Sequence, residues 1–264
     1  MPSFYAHDRF GAIAARQLKK DLREIIAGHG RQYAIGLQGP DLFFYYRPWG
    51  ENPVNSYGVH LHKVSAYPFF NRALGVVRAH GRDSAAYAYL LGFIGHFILD
   101  SECHPYVDEM IEKTGVGHLE IESEFEKLLL RRDGRDPLAY PVYELIPTDQ
   151  ETAEAAALFF NRAITPEIIR RSLKEFKMVK RLFVRPSAAG QAAIHTIMKA
   201  LGKYDTMKGL MNQRTDNPAC RESNEGLLQR FDRAVGLAAQ MMEDFDSVLC
   251  SGGRLDSRFD RTFE

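Results

Sequence analysis

Residues 84–105 read SAAYAYLLGFIGHFILDSECHP, and residues 118–122 read HLEIE. Ala85, Ala86, Tyr87, Ala88, Tyr89, Leu90, Leu91, Phe93, Ile94, Phe97, Ile98 and Leu99 make the first part apolar almost all round. A helix of that kind, expected over Ser84 to Asp100, is buried on all sides. His96 with Asp100, and His118 with Glu122, stand four residues apart, so each pair shares one helix face. Each pair can act as a two-toothed clamp, and His104 lies between them. Imidazole nitrogen and carboxylate oxygen are donors that suit zinc where thiolate is absent. The carboxylate ending the buried helix needs a partner in any case, because an unpaired buried charge is costly. A lone buried histidine is usually a hydrogen-bonded core residue, and one His-x3-carboxylate pair arises by chance. Five such residues together are far more specific.

Outward from this stretch the pattern is helical nearly throughout. Residues 8–27 carry Phe10, Ile13, Ala14, Leu18, Leu22, Ile25 and Ile26 on one face and end at Gly28 and Gly30. Residues 31–62, punctuated by Gly36, Gly39, Pro40, Pro48, Gly50, Pro53 and Gly58, read as a long ordered loop. Further helices are expected at Pro68–His80, His118–Arg132, 149–163, 165–183, 187–204 and 222–250, with a break at 131–148. The composition of 205–221 reads as a flexible linker, and Arg254–Glu264 as a frayed or surface-lying tail. No strand alternation of useful length and no internal repeat is present. The expected architecture is a single all-α domain over 1–264, its site built by about 2–130 and supported by the helices of 149–250.

The 264 residues suffice for one sizeable core, and 45% hydrophobic with 26% charged residues describes an ordinary globular protein. Zero formal net charge gives no global attraction to nucleic acid, and no basic stripe stands out. Cys103, Cys220 and Cys250 are widely spaced and odd in number, as in reduced cytosolic proteins. Cys103 reads as packing. The N-terminus lacks the pattern of a secretory signal and the longest apolar run is too short to span a bilayer, so a cytoplasmic location is expected. His29 and His80 fall at helix ends and suit the helix dipole, and His195 reads as structural.

Gly39-Pro40-Asp41-Leu42-Phe43-Phe44-Tyr45-Tyr46, Leu61-His62, Gly95-His96 through Asp100 to His104-Pro105, and His118-Leu119-Glu120-Ile121-Glu122 resemble the zinc-dependent phospholipase C family, whose superfamily includes the S1/P1 nucleases. The resemblance covers roughly residues 2–130. It implies an all-α, multi-helix bundle holding two or three zinc ions that hydrolyses phosphodiesters. By position it implies that Asp41, His62, His96 and Asp100 bind one zinc and that His104, His118 and Glu122 bind a second. Asp100 would bridge to a third, shared with His7 and with the terminal amine of Pro2 once Met1 is removed. His60 and His62 both lie within reach; Leu-His is the family's local pattern, which favours His62.

A zinc cluster of this kind acidifies water and neutralises a phosphoryl oxygen, with Asp41 as ligand and general base. Glu102, Asp108, Glu120 and Glu124 are candidates to orient histidine N–H groups, or are simply solvated. Phe43 to Tyr46 read as core, or as the wall of a substrate pocket. The substrate class the resemblance implies is a phosphodiester, with phospholipid as one candidate. The competing readings are a nuclease or nucleotidase of the same superfamily, a His/Asp phosphohydrolase suggested by His7-Asp8, and a non-catalytic zinc-stabilised scaffold.

Overall fold

A computed structural model describes residues 3–264, and its described residues form helices and turns without a strand. The helices are α1 (Phe4–Gln17), α2 (Lys20–Gly28), α3 (Gly30–Gly36), α4 (Pro53–Lys63), α5 (Tyr67–His80), α6 (Ala85–Thr114) and α7 (His118–Arg132). They continue as α8 (Gln150–Ala157), α9 (Pro166–Phe183), α10 (Ala188–Ala200), α11 (Tyr204–Met207) and α12 (Arg221–Ser251). The all-α expectation holds. At the centre runs α6, flanked by α3, α12 and α1. No helix of the described residues is long and apolar enough to cross a membrane.

The central helix is longer than expected. Ser84 caps it by accepting from the Tyr87 N–H, and it ends at Gly115, whose φ of 71° closes the last turn. It passes through Pro105 without stopping. Proline has no N–H for the carbonyl four residues earlier, here that of Ser101. The Arg261 guanidinium fills that vacancy, donating to the Ser101 carbonyl at 2.7 Å. A buried acceptor left open by the sequence is thus satisfied from the far end of the chain.

Residues 31–62 are not a loop. They hold α3, a 3-10 turn over Gly39–Tyr45 and α4. The glycines there are packing residues: a Cβ on Gly36 would lie 2.0 Å from the Tyr89 carbonyl oxygen, and one on Gly92 2.2 Å from that of Tyr33. Backbone touches backbone where α3 crosses α6, and no rotamer change can relieve an added methyl. Gly36→Ala is expected to cost about 3 kcal/mol or more, a fall in melting temperature of roughly 6–12 °C by thermal unfolding.

The expected 8–27 helix is two helices, broken where Leu18 turns extended and the Lys19 N–H is taken by Glu243 at 2.9 Å. The expected 149–163 helix stops at Ala157. The stretch 205–221 is not a loose linker. Buried Lys127 holds it through the carbonyls of Gln213 and Thr215, both at 3.2 Å, and through Asp216 at 2.8 Å. Arg131 adds a two-pronged bond to Asp216. The tail expectation also fails: Leu255, Phe259 and Phe263 are buried in the main core. Arg258 and Arg261 both reach Glu102 at 2.7 Å, so Glu102 anchors the tail and does not orient a histidine.

Candidate metal centre

Three elements deliver the first group of side chains. Asp41 comes from the 3-10 turn, His62 from the end of α4, and His96 and Asp100 from the middle of α6. One ligand atom from each lies within 4.8 Å of the others, and all four residues are buried. Gly39, at φ 48°, lets the turn press against the site: a Cβ there would meet the His96 ring at 2.1 Å. Ser172 of α9 holds the turn from behind through the Leu42 carbonyl.

The contacts are close but not those of a finished hydrogen-bond network. His62 Nε2 stands 3.0 Å from Asp41 Oδ1, and His96 Nε2 stands 3.1 Å from Asp100 Oδ2. His7, stacked on His96 with ring centroids 4.4 Å apart, places Nε2 3.2 Å from Asp100 Oδ1. Yet none of these nitrogens, nor Asp41 Oδ1, nor either Asp100 oxygen makes a directed hydrogen bond. Buried polar atoms without such partners are rare. Six of them converging on one space are what a cation site of N and O donors looks like, and the set suits zinc.

The histidine protons support the same fit. His62 Nδ1 meets the Gly58 carbonyl at 2.8 Å, His96 Nδ1 the Leu37 carbonyl at 3.2 Å, and His104 Nδ1 the Phe263 carbonyl at 2.6 Å. A carbonyl only accepts, so each Nδ1 carries the proton and each Nε2 of the neutral ring keeps its lone pair. Burial and the neighbouring His96 push His7 downward, toward the neutral form a metal requires. Burial would raise Asp100, but His96 and His7 outweigh it and hold the carboxyl well below its ordinary range. Burial disfavours the charged form of His62, and Asp41 beside it reverses the balance and raises it.

His104, His118 and Glu122 form a second group able to hold a metal ion, from α6 and the start of α7. His118 Nε2 stands 2.7 Å from Glu122 Oε1, and the rings of His104 and His118 lie 5.5 Å apart. Every described residue predicted for the site falls in or against these two groups, and Pro2 lies outside the described residues. His60 is exposed, whereas His62 is buried in the first group. Cys103 is fully buried packing. Glu120 pairs with Lys208 at 2.7 Å and Glu124 with Lys127 at 2.7 Å, so neither attends a histidine.

A small, partly open cavity of about 50 Å³ touches both groups, with Asp41, Glu122, Glu126, Tyr45, Phe176 and Lys180 in its wall. Tyr45 stacks flat on Phe176 at 3.9 Å, so the aromatic run supplies one wall as well as core. Lys180 went unnoticed in the sequence, because it reads as one more base on the charged face of α9. Burial opposes its charge, but Tyr45, Glu126, Glu122 and Asp41 outweigh that and keep it an ammonium.

The doublet His7-Asp8 is divided. His7 faces the centre, while Asp8 lines a separate groove with Gly30, Arg31, Thr148 and Lys177. Burial pushes the Asp8 carboxyl up to about 6. Between the ordinary carboxylate value and that point the folded chain keeps a proton that the unfolded chain has released. Stability therefore falls as pH rises through this window. Asp8→Asn is expected to stabilise the protein by roughly 1–2 kcal/mol near neutral pH, allowing for partial solvent screening, and to have no effect near pH ~4. Thermal unfolding at both pH values checks it.

Two neighbouring His/carboxylate groups, each able to hold a metal ion, sit on an all-α frame. The chain belongs to the zinc-dependent phospholipase C family, which matches residues 6–178. Comparison with curated proteins and with solved structures gives no match.

Proposed function

We propose that this chain hydrolyses phosphodiesters, with phospholipid as the substrate class, at a centre of two or three zinc ions. Asp41, His62, His96 and Asp100 would hold the first ion, and His104, His118 and Glu122 the second. His7 and Asp100 would share a third. The observation that carries this reading is the convergence of the buried, unbonded N and O atoms of His7, Asp41, His62, His96 and Asp100 beside a second cluster, His104, His118 and Glu122, with one cavity touching both. Zinc bound there supplies Lewis acidity and acidifies water.

The chain's own residues supply the rest. Asp41 Oδ1 takes the proton of the attacking water. Lys180 Nζ meets the phosphoryl oxygens and offsets charge developing on them. Tyr45 and Phe176 form a flat apolar wall for the esterified alcohol. The cavity has room for a few waters, so a larger substrate requires its wall, which includes Gly209, Leu210 and Asn212, to give way.

Metal analysis of untagged protein, coupled to hydrolysis of a generic soluble phosphodiester, tests the proposal. At least two zinc per chain, with turnover lost on chelation and restored by zinc, is the expected result. Fewer than two zinc per chain with no turnover overturns it.

A further inference from the structure

We infer that the surface formed by Trp49, Met178 and Leu182, bordered by Arg181 and Arg185, docks the protein on an anionic phospholipid bilayer. Trp49 is 65% exposed, Met178 50% and Leu182 39%. These three large apolar side chains share one open groove of about 450 Å³ with Arg181 and Arg185. Single exposed apolar residues are ordinary, but a contiguous group with a basic border marks an interaction site. Tryptophan, with an apolar body and one N–H, suits the headgroup region of a bilayer.

Charge selects the partner. The whole chain is neutral, yet residues 180–215 carry seven lysines and arginines against the single acid Asp205. Near the groove, Glu175 is occupied by the Arg47 N–H at 2.6 Å and by Arg171 at 2.9 Å, and Glu51 lies exposed in the same loop. A second copy meeting this face about a two-fold axis would set arginine against arginine. An anionic lipid surface attracts the same border, each base adding to the attraction.

The position fits the proposed chemistry. Phe176 and Lys180 of α9 face the cavity, while Met178 and Leu182 lie on the helix's other side. Tyr45 lines the cavity, and Trp49 follows four residues later. A bilayer seated on the groove therefore lies about one helix diameter, ~10–12 Å, from the centre. Arg181, Leu182 and Arg185 fall beyond the family match, which ends at residue 178. The inference rests on the phospholipid reading above for its purpose, but not for its test.

Trp49 is the only tryptophan in the chain, so its fluorescence reports this surface alone. Zinc-loaded, full-length protein is mixed with phosphatidylglycerol/phosphatidylcholine vesicles and with phosphatidylcholine vesicles. The expected result is a blue-shifted emission and co-sedimentation with the anionic vesicles, reversed by salt. An Arg181→Glu/Arg185→Glu variant is expected to bind at least about tenfold more weakly. Met178→Ser/Leu182→Ser is expected to lose the blue shift, with zinc content and helical circular dichroism as checks on folding. Unchanged Trp49 emission, or equal binding to neutral vesicles, overturns the inference. Shielding of Trp49 that grows with protein concentration and without lipid assigns the face to a second copy and also overturns it. Turnover of a soluble phosphodiester without vesicle binding sinks the docking surface alone, and vesicle binding without turnover sinks the hydrolase reading alone.

Discussion

Asp100→Asn is expected to cost the chain at least one zinc ion and to lower phosphodiester turnover by more than about a hundredfold. Its two oxygens stand 3.2 Å from His7, 3.1 Å from His96 and 3.9 Å from His62, so it is the residue common to the first group and to His7. Residues that merely orient ligands are worth about 10–100-fold in metal affinity or activity, and a shared ligand should exceed that. Asparagine keeps the shape but removes the charge and turns one acceptor into a donor aimed at its neighbours. The same substitution separates a metal ligand from a structural carboxylate. Without metal, the buried Asp100 carboxylate is still held by His96 and His7, which keep it well below its ordinary range, so the amide gives up that stabilisation as well. The chelated variant should therefore melt somewhat below chelated wild type, and a metal ligand is marked by a larger gap between variant and wild type when zinc is present than when it is removed. Metal analysis and melting with and without chelator read both effects. Full zinc content with full turnover would remove Asp100 from the centre.

The helical frame was readable because helix information is local. The apolar run of α6, and the four-residue spacing of His96 with Asp100 and His118 with Glu122, need no knowledge of the rest of the chain. The family pattern then brought in Asp41, His62 and His7, whose separations in sequence carry no geometric rule of their own. Gly36 misled because a glycine that permits helix contact and one that ends a helix are identical in sequence; only the neighbouring Tyr89 carbonyl distinguishes them. The run of α6 beyond Asp100 and through Pro105 is unreadable for a related reason: the acceptor that Pro105 leaves unpaired is answered by Arg261, distant in sequence. The tail did carry a signal. Leu255, Phe259 and Phe263 recur every four residues within a polar segment, as residues of a buried face do. Lys180 carried none, because its role comes from where α9 packs.

Removing residues 254–264 is expected to lower zinc affinity and stability together, although no residue predicted to bind metal is deleted. The Phe263 carbonyl accepts from His104 Nδ1 at 2.6 Å, and its N–H donates to the His62 carbonyl at 3.2 Å. One residue thereby braces a histidine from each group. Its ring packs against His62, His96, Phe93 and Phe97, with centroids 5.5, 5.8, 5.9 and 5.0 Å away. Two substitutions divide these roles. Phe263→Ala keeps the backbone bonds but empties a buried aromatic site, at about 3–5 kcal/mol. Its loss should therefore fall mainly on stability, with zinc still bound once the protein is folded. Truncation also removes the carbonyl that fixes the His104 proton on Nδ1, and second-group zinc affinity should drop a further ~10–100-fold. Arg261→Met isolates a third contribution, leaving the Ser101 carbonyl unanswered at Pro105 for roughly 1–3 kcal/mol. Zinc titration of the three proteins, each at a temperature where it is folded, orders them. If truncation weakens zinc no more than Phe263→Ala does, the tail acts only as core, and the His104 proton is fixed by something other than the end of the chain.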